Sequence, residues 1–155
     1  MNCWALTGDA ASEDLYVSFT HRELPPMVLV AMGLFNNSDF SGGPAAAIND
    51  TMPLDRINHR RAWKSSHLLP FLSNIAIERL NCSGAYGYDN GAYFRVLVNN
   101  APQELPDCGD GPGSSCSAAG FRTYVQDRVG LLSGYSEKCG AKYENTTDTL
   151  SIYSK

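Results

Sequence analysis

The stretch LYVSFTHRELPP, residues 15–26, decides the predicted fold and the predicted site. Residues 15–19 hold four apolar side chains and no Gly or Pro, a composition typical of a short strand buried on both faces. His21 and Glu23 follow directly, and the Pro-Pro pair after them suits a first helical turn, where missing N–H groups cost little. An α/β enzyme places its chemistry at the carboxyl end of a strand beside a helix start. We therefore expect His21 and Glu23 to lie in a functional site.

The run that follows predicts a buried helix. Residues 27–35, MVLVAMGLF, are apolar on every side of a helix rather than on one stripe. Thr20 is a candidate cap before the helix, and the polar residues 36–38 end it. A helix that is apolar all round is expected in the interior of the protein.

Composition limits the classes of function. The chain has 155 residues, and its hydrophobic fraction of 43% is enough for the core of one ordinary domain. A formal net charge of −4 with no stripe of Lys and Arg argues against a nucleic-acid partner. No run of 18 apolar residues indicates a transmembrane helix. The N-terminal residues also lack the basic region and apolar core of a signal peptide.

Glycosylation sequons and cysteines nevertheless favour a secretory history. The sequence contains four Asn-x-Ser/Thr sequons, at Asn36, Asn49, Asn81 and Asn145. Five cysteines point the same way. Cys108 and Cys116 flank a flexible Gly-rich loop, and a disulfide there would contribute roughly 2–3 kcal/mol. A zinc site is disfavoured because it needs more ligands at closer spacing, and the sequence indicates no cofactor.

The odd cysteine count adds a further expectation. At least one thiol must stay unpaired or pair outside the chain. Together with the absent signal peptide, this favours an N-terminal part of the protein beyond these 155 residues.

The second half of the chain predicts a hairpin and a helix. Residues 74–80 and 93–98 are strand candidates separated by a loop rich in Gly and Asn. In the first of these strands, Ile75 and Ile77 are expected toward one side, with Glu78 and Arg79 outside. Residues 118–132 predict an amphipathic helix capped by Ser117. Its expected apolar face consists of Phe121, Val125, Val129 and Leu132.

Taken together, these segments resemble the histidine acid phosphatases, the family that includes the phytases. Residues 15–26 resemble the second active-site motif of that family. Four further segments are similar to family segments in the same order: GLFN at 33–36, WKSSHLLPF at 63–71, ERLNC at 78–82 and RVLVN at 95–99. Each match alone is weak, but their order and spacing together are specific.

The resemblance implies a fold and a domain organisation. We expect an α/β protein with a partial histidine-phosphatase fold, in which a fragment of a mixed sheet carries flanking helices and a β-hairpin. Residues 1–14 are expected to be unstructured or outside the family. Residues 15–140 correspond to the C-terminal part of the catalytic domain, and residues 141–155 form a polar tail. The resemblance also implies a secreted protein and a missing N-terminal half of the same fold as partner.

The resemblance further implies roles for the site residues. The family's first motif, Arg-His-Gly, supplies the nucleophilic His and does not occur in this sequence. The commonest second motif is His-Asp, but here Arg22 follows the His and cannot serve as an acid. The order His21-Arg22-Glu23 resembles a minority His-x-Glu variant. It implies phosphate binding by His21 and proton donation by Glu23, with phytate or another organic phosphate as the phosphomonoester substrate.

The cysteine positions also match the family. Cys108 and Cys116 stand where the family has a local disulfide. Cys82 and Cys139 correspond to cysteines that pair with upstream residues, so we expect both to lack their partners in this chain.

Three functions compete at this stage. The first is a part of a histidine acid phosphatase that is inactive alone because the nucleophile is absent. The second is an inactive pseudophosphatase that retains phosphate binding through His21. The third is a secreted structural glycoprotein without a ligand.

Overall fold

A computed structural model describes residues 2–5, 15–36, 59 and 61–140 of the chain. Within these ranges the elements are four helices and five strands. In chain order they are β1 Asn2–Ala5, α1 Leu24–Ala31, α2 Ser65–Leu68, β2 Ile75–Ser83, β3 Gly91–Val98, β4 Ala101–Gln103, β5 Cys116–Ser117, α3 Ala118–Leu132 and α4 Tyr135–Lys138.

The described strands form one antiparallel sheet around the β2–β3 hairpin. The strand order is β1-β2-β3-β4, and β5 pairs with β3 beside β4. Glu78 lies opposite Arg95 and Leu80 opposite Tyr93. The predicted hairpin is thus confirmed. Its loop closes through a hydrogen bond of 2.8 Å from the Gly84 N–H to the Asn90 side chain.

The main core lies on the helix side of this hairpin. Val96 and Val98 are buried there together with residues from the helices and loops: Leu29, Leu34, Leu68, Leu105, Cys108 and Cys116. Phe94, on the same side of β3, stacks on Phe121 of α3 with 4.8 Å between ring centroids. This cluster fixes α3 against the sheet.

Ile75 and Ile77 lie on one side of β2, as predicted, opposite Val98 and Val96, but the predicted outside position of Glu78 is wrong. Ile77 is 55% exposed, whereas Glu78 is half-buried and accepts two hydrogen bonds from the Arg95 guanidinium, at 2.7 and 3.0 Å. Alternation places Glu78 on the same side of the sheet as Leu80 and Cys82. Those two residues form a second small cluster with Tyr93.

The N-terminal residues and the cysteines also differ from expectation. Residues 2–5 form β1, where no regular structure was predicted, and β1 places Cys3 opposite Cys82. These two cysteines form a disulfide, so the expectation that Cys82 lacks a partner in this chain is wrong. Cys108 and Cys116 form the second disulfide. Cys139 is free and exposed.

The opening stretch departs most from its prediction. Residues 15–20 form no regular element and are exposed, with Phe19 at 95%. A strand buried on both faces needs neighbouring strands, and none of the described strands pairs with this segment. Helix α1 has Pro25 and Pro26 in its first turn, as predicted, but its N-cap is Glu23 rather than Thr20 and it ends at Ala31 rather than at residue 35. It is also not buried all round, since Met27 is 65% exposed and only Leu29 within it is fully covered.

Helix α3 has the predicted bounds and the predicted cap. The Ser117 hydroxyl accepts a hydrogen bond of 3.1 Å from the Gly120 N–H. Its packing face is different, however. Phe121 and Tyr124 contact the core, whereas Val125 is 40% and Val129 63% exposed.

Several predictions fall outside the described residues. These are the structure of residues 6–14, the sequons at Asn49 and Asn145, and the polar tail at 141–155. No helix among the described residues is long and apolar enough to cross a membrane.

Candidate functional site

His21 and Glu23 lie together at the start of α1. Leu24, the first residue of the helix, donates its N–H to the His21 carbonyl at 3.2 Å, which forms a turn just before the helix. Glu23 is the N-cap residue, but its side chain makes no capping hydrogen bond. Its carboxylate instead lies 3.5 Å from Arg22 Nε, and both side chains are largely exposed, at 66% and 90%. An ion pair this exposed contributes little to stability and leaves the carboxylate accessible.

The start of α1 offers few backbone donors to an anion. A helix N-terminus normally binds anions through its free N–H groups. Here Pro25 and Pro26 occupy the first turn and carry no N–H. The Leu24 N–H is already directed at His21. Few backbone donors therefore remain in this first turn, and an anion at this helix start would depend mainly on side chains.

The other end of α1 is held by two side chains of α3. Tyr124 donates its hydroxyl to the Met32 carbonyl at 2.7 Å. Arg128 donates from Nε to the Ala31 carbonyl at 2.6 Å and from Nη2 to the Val30 carbonyl at 3.0 Å. Burial raises the pKa of Tyr124 above its usual value, with Arg128 acting in the opposite direction. The hydroxyl therefore remains a donor throughout the neutral range.

A third anchor joins α3 to the sheet. The Asp110 carboxylate accepts the Ser117 N–H at 2.8 Å and the Ser117 hydroxyl at 2.6 Å. These hydrogen bonds, led by that from the hydroxyl, lower the pKa of Asp110 below its ordinary value of 3.8. Because Ser117 is both the last residue of β5 and the cap of α3, Asp110 fixes the junction between strand and helix.

A separate groove lies on the hairpin side. It has a volume of about 630 Å³ and is lined by residues 87–93 with Asp110 and Ser117. Neither His21 nor Glu23 borders it. The residues predicted from the sequence and this groove therefore lie apart, and His21 and Glu23 remain the candidate site because they carry the predicted chemistry.

A metal site finds little support in the described part of the chain. Cys108, Asp110 and Cys116 bring three potential ligand atoms within 4.8 Å of one another. Both cysteine sulfurs are already joined in a disulfide. One remaining carboxylate is not a metal-binding set.

Two of the four sequon asparagines lie among the described residues. Asn36 follows the turn after α1, and Asn81 lies on β2; both side chains are exposed. Sequence reasoning missed Tyr124 and Arg128, which hold α1, and Asp110, which holds the start of α3. The spacing of Tyr124 and Arg128 by four places them on one helix face, but only the fold shows which carbonyls they meet.

Comparison with known proteins places this arrangement in a family. No family model matches the chain. Among curated proteins it is 32% identical to acid phosphatase PHO1 of Komagataella pastoris over 136 residues, covering 85% of this chain and 25% of that protein. It is 28% identical to phytase PHO112 of Candida albicans over 129 residues, covering 83% and 24% respectively. The repressible acid phosphatase of Kluyveromyces lactis is 24% identical over 147 residues, with 94% and 27% covered.

A solved structure agrees with these matches. The crystal structure of the phytase from D. castellii superposes with a TM-score of 0.67 at 23% identity, covering 95% of this chain and 28% of that one. This confirms the partial α/β histidine-phosphatase fold. These matches support a histidine acid phosphatase-like family for this chain, which spans about a quarter of the length of the relatives it matches.

Proposed function

We propose that this chain contributes the His-x-Glu part of an active site that hydrolyses phosphomonoesters. The observation that carries the proposal is the sequence His21-Arg22-Glu23 at the start of α1 in a chain with acid phosphatase and phytase relatives. The substrate is phytate or another organic phosphate.

The chemistry divides between the two side chains. Protonated His21 donates a hydrogen bond to a non-bridging phosphate oxygen and stabilises the charge that develops there. Glu23 in its acid form gives its proton to the departing alkoxide oxygen. A nucleophile must attack phosphorus, and we place it outside these 155 residues because the sequence contains no Arg-His-Gly.

The partner in this proposal is the remainder of the phosphatase fold. The relatives extend well beyond the matched region, since the chain covers 25% of the Komagataella pastoris enzyme. Residues 15–19 support the same idea. Their composition is typical of a strand, yet their large apolar side chains are 62% to 95% exposed. A neighbouring strand from the rest of the fold would cover them.

A secreted location goes with this function. The exposed side chains of Asn36 and Asn81 are available to carry glycans. The two disulfides suit an oxidising compartment. Expression in a secreting host followed by mass measurement before and after glycosidase treatment tests this part of the proposal. A product retained inside the cells would contradict the secreted location, and an unglycosylated product would contradict the use of these two asparagines.

Complementation of hydrolysis tests the function. The chain would be co-expressed with the part of the Komagataella pastoris acid phosphatase that it does not match, and an aryl phosphate would be supplied at acid pH. We expect no enzymatic turnover from the chain alone, against the usual range of roughly 1–1000 per second, and measurable hydrolysis from a co-purified complex. His21→Ala in the complex should abolish that hydrolysis, whereas His59→Ala serves as the control.

A pseudophosphatase is the second candidate, and the absence of Arg-His-Gly favours it. A complex that forms, binds inorganic phosphate and remains inactive would support this candidate against the first. Enzymatic turnover by the chain alone would contradict both.

A further inference from the structure

The attachment of α1 to α3 has a consequence for the site at the opposite end of α1. We propose that Tyr124 and Arg128 are positioning residues that set the placement of His21 and Glu23. The expected effect on phosphate binding rests on the proposed function. The expected effect on the position of α1 rests only on the contacts between the two helices.

The first step concerns the carbonyls at the end of α1. The last carbonyls of a helix lack intrahelical partners and need other donors. In this helix the N–H groups of Met32, Gly33 and Leu34 return to carbonyls of residues 28–30. The carbonyls of Ala31 and Met32 are instead served by Arg128 and Tyr124. Side chains of α3 therefore complete the end of α1.

The second step is the close approach that this requires. Gly33 has a φ of +65°, and a Cβ added there would lie 3.1 Å from Tyr124 Oη and 3.5 Å from the Arg128 guanidinium. Glycine adopts this backbone conformation without strain and leaves room for both donors. The turn after α1 is thus shaped to receive these two side chains.

The short length of α1 couples its two ends. Helix α1 has eight residues and so measures about 12 Å, at 1.5 Å per residue. A hydrogen-bonded helix of that length moves as a rigid rod. A change in its C-terminal attachment therefore shifts Glu23 and His21 at the other end.

Within the described part of the chain, helix α1 has few other restraints. Within the helix only Leu29 is fully buried, while Met27 and Val30 are 65% and 57% exposed. A single apolar anchor permits the helix to pivot. Three directed hydrogen bonds from α3, two of them from the Arg128 guanidinium to two different carbonyls, restrict that pivot.

The last step links the attachment to the sheet. Phe121 stacks on Phe94 of β3, and Asp110 holds the start of α3 through Ser117. A continuous path runs from the sheet through α3 and its two donors to α1. The position of His21 and Glu23 is therefore fixed relative to the β-sheet.

Residual dipolar couplings of the isotopically labelled chain test the geometric part. Tyr124→Phe removes one hydroxyl and keeps the ring, and Arg128→Gln removes the charged fork. Arg122→Gln, an exposed arginine on the same helix, and Tyr86→Phe, at a tyrosine 98% exposed, are the matched controls. We expect the couplings of α1 to change or shrink in both variants while those of β2 and β3 stay constant. Unchanged α1 couplings in both variants would overturn the proposal.

Titration with inorganic phosphate at acid pH tests the chemical part. The His21 ring resonances are followed in the same samples under conditions where the hairpin spectrum shows a folded chain. We expect the dissociation constant to rise about threefold for Tyr124→Phe and about tenfold for Arg128→Gln, the loss of one neutral and of charge-assisted hydrogen bonds respectively. Arg128→Lys, which keeps the charge but not the fork, should recover part of the affinity.

The two readouts separate the possible failures. An unchanged dissociation constant in variants with altered α1 couplings would overturn the positioning role. A wild-type chain whose His21 resonances ignore phosphate would contradict the proposed function, and the couplings would still decide whether Tyr124 and Arg128 place His21 and Glu23.

Discussion

The hairpin region and the segment that carries His21 and Glu23 are held in opposite ways. Strands β2 and β3 pair along eight residue positions, and disulfides attach β1 to β2 and close the loop before β5. Residues 15–23 have no strand partner among the described residues, and α1 has one fully buried side chain and three hydrogen bonds from α3. The hairpin region is therefore held by strand pairing and disulfides within itself. Residues 15–23 and α1 depend instead on contacts with other parts of the protein.

The largest effects should come from the site segment and should concern catalysis rather than stability. In the active complex with the remaining fold, Glu23→Gln should lower hydrolysis of an alkyl phosphate about 100- to 10,000-fold. The loss on an activated aryl phosphate should be far smaller, because a phenolate leaves without a proton. His21→Ala should impair both substrates, since phosphate binding is needed whatever the leaving group. Steady-state kinetics on the two substrates measures the difference.

The control for this prediction is Arg22→Gln, which removes the neighbour of Glu23 and keeps both proposed groups. Thermal unfolding of the three variants should match that of the wild type, because these side chains are exposed. Equal losses on both substrates for Glu23→Gln would remove the proton-donor role.

The next largest effect should come from the one buried anchor of α1. Leu29→Ala removes a side chain with 0% exposure and should lower the free energy of unfolding by about 2–5 kcal/mol. Val30→Ala, at the neighbouring exposed position, should change it by less than about 0.5 kcal/mol. Chemical denaturation measures both. Similar values for the two variants would contradict the description of α1 as a helix held at a single apolar point.

The same contrast explains what the sequence could predict. The existence and approximate bounds of the hairpin and of α3 were predictable because alternation, turn residues and the Ser117 cap are local signals. The packing face of α3 was not, since it depends on where the core lies. Residues 15–19 were wrongly predicted to be buried, because burial on both faces depends on neighbouring strands that a local pattern cannot supply. The exposed Ile77 and the half-buried Glu78 show the same limit, since Glu78 is stabilised by Arg95 across the hairpin. The contacts of Tyr124 and Arg128 could not be predicted from the sequence, because their partners are backbone carbonyls more than 90 residues away along the chain.

The disulfide between Cys3 and Cys82 offers a milder test of the scaffold. It closes a loop with a sequence separation of 79, and its removal by the double substitution Cys3→Ser, Cys82→Ser should lower the free energy of unfolding by about 2–4 kcal/mol. The couplings of α1 should stay unchanged, because the disulfide lies at the opposite edge of the sheet order from β4 and β5. A shift of α1 in the double variant would show that the site depends on β1 as well.

The smallest expected effect is a pH-dependent one at the junction of β5 and α3. Hydrogen bonds from Ser117 lower the pKa of Asp110 below 3.8, so the folded state favours the carboxylate. The resulting stability is present above the pKa of the unfolded state and is lost as the pH falls through the lower pKa of the folded state. Because Asp110 is largely exposed, solvent screening limits its contribution, and Asp110→Asn should cost about 0.5–1 kcal/mol at neutral pH. Asp127→Asn, at an exposed position on α3, should cost less. Denaturation of both variants from pH 7 down to pH 2 should show the Asp110→Asn difference shrinking below about pH 4, and a difference that stays constant would mean that Asp110 acts through its shape rather than its charge.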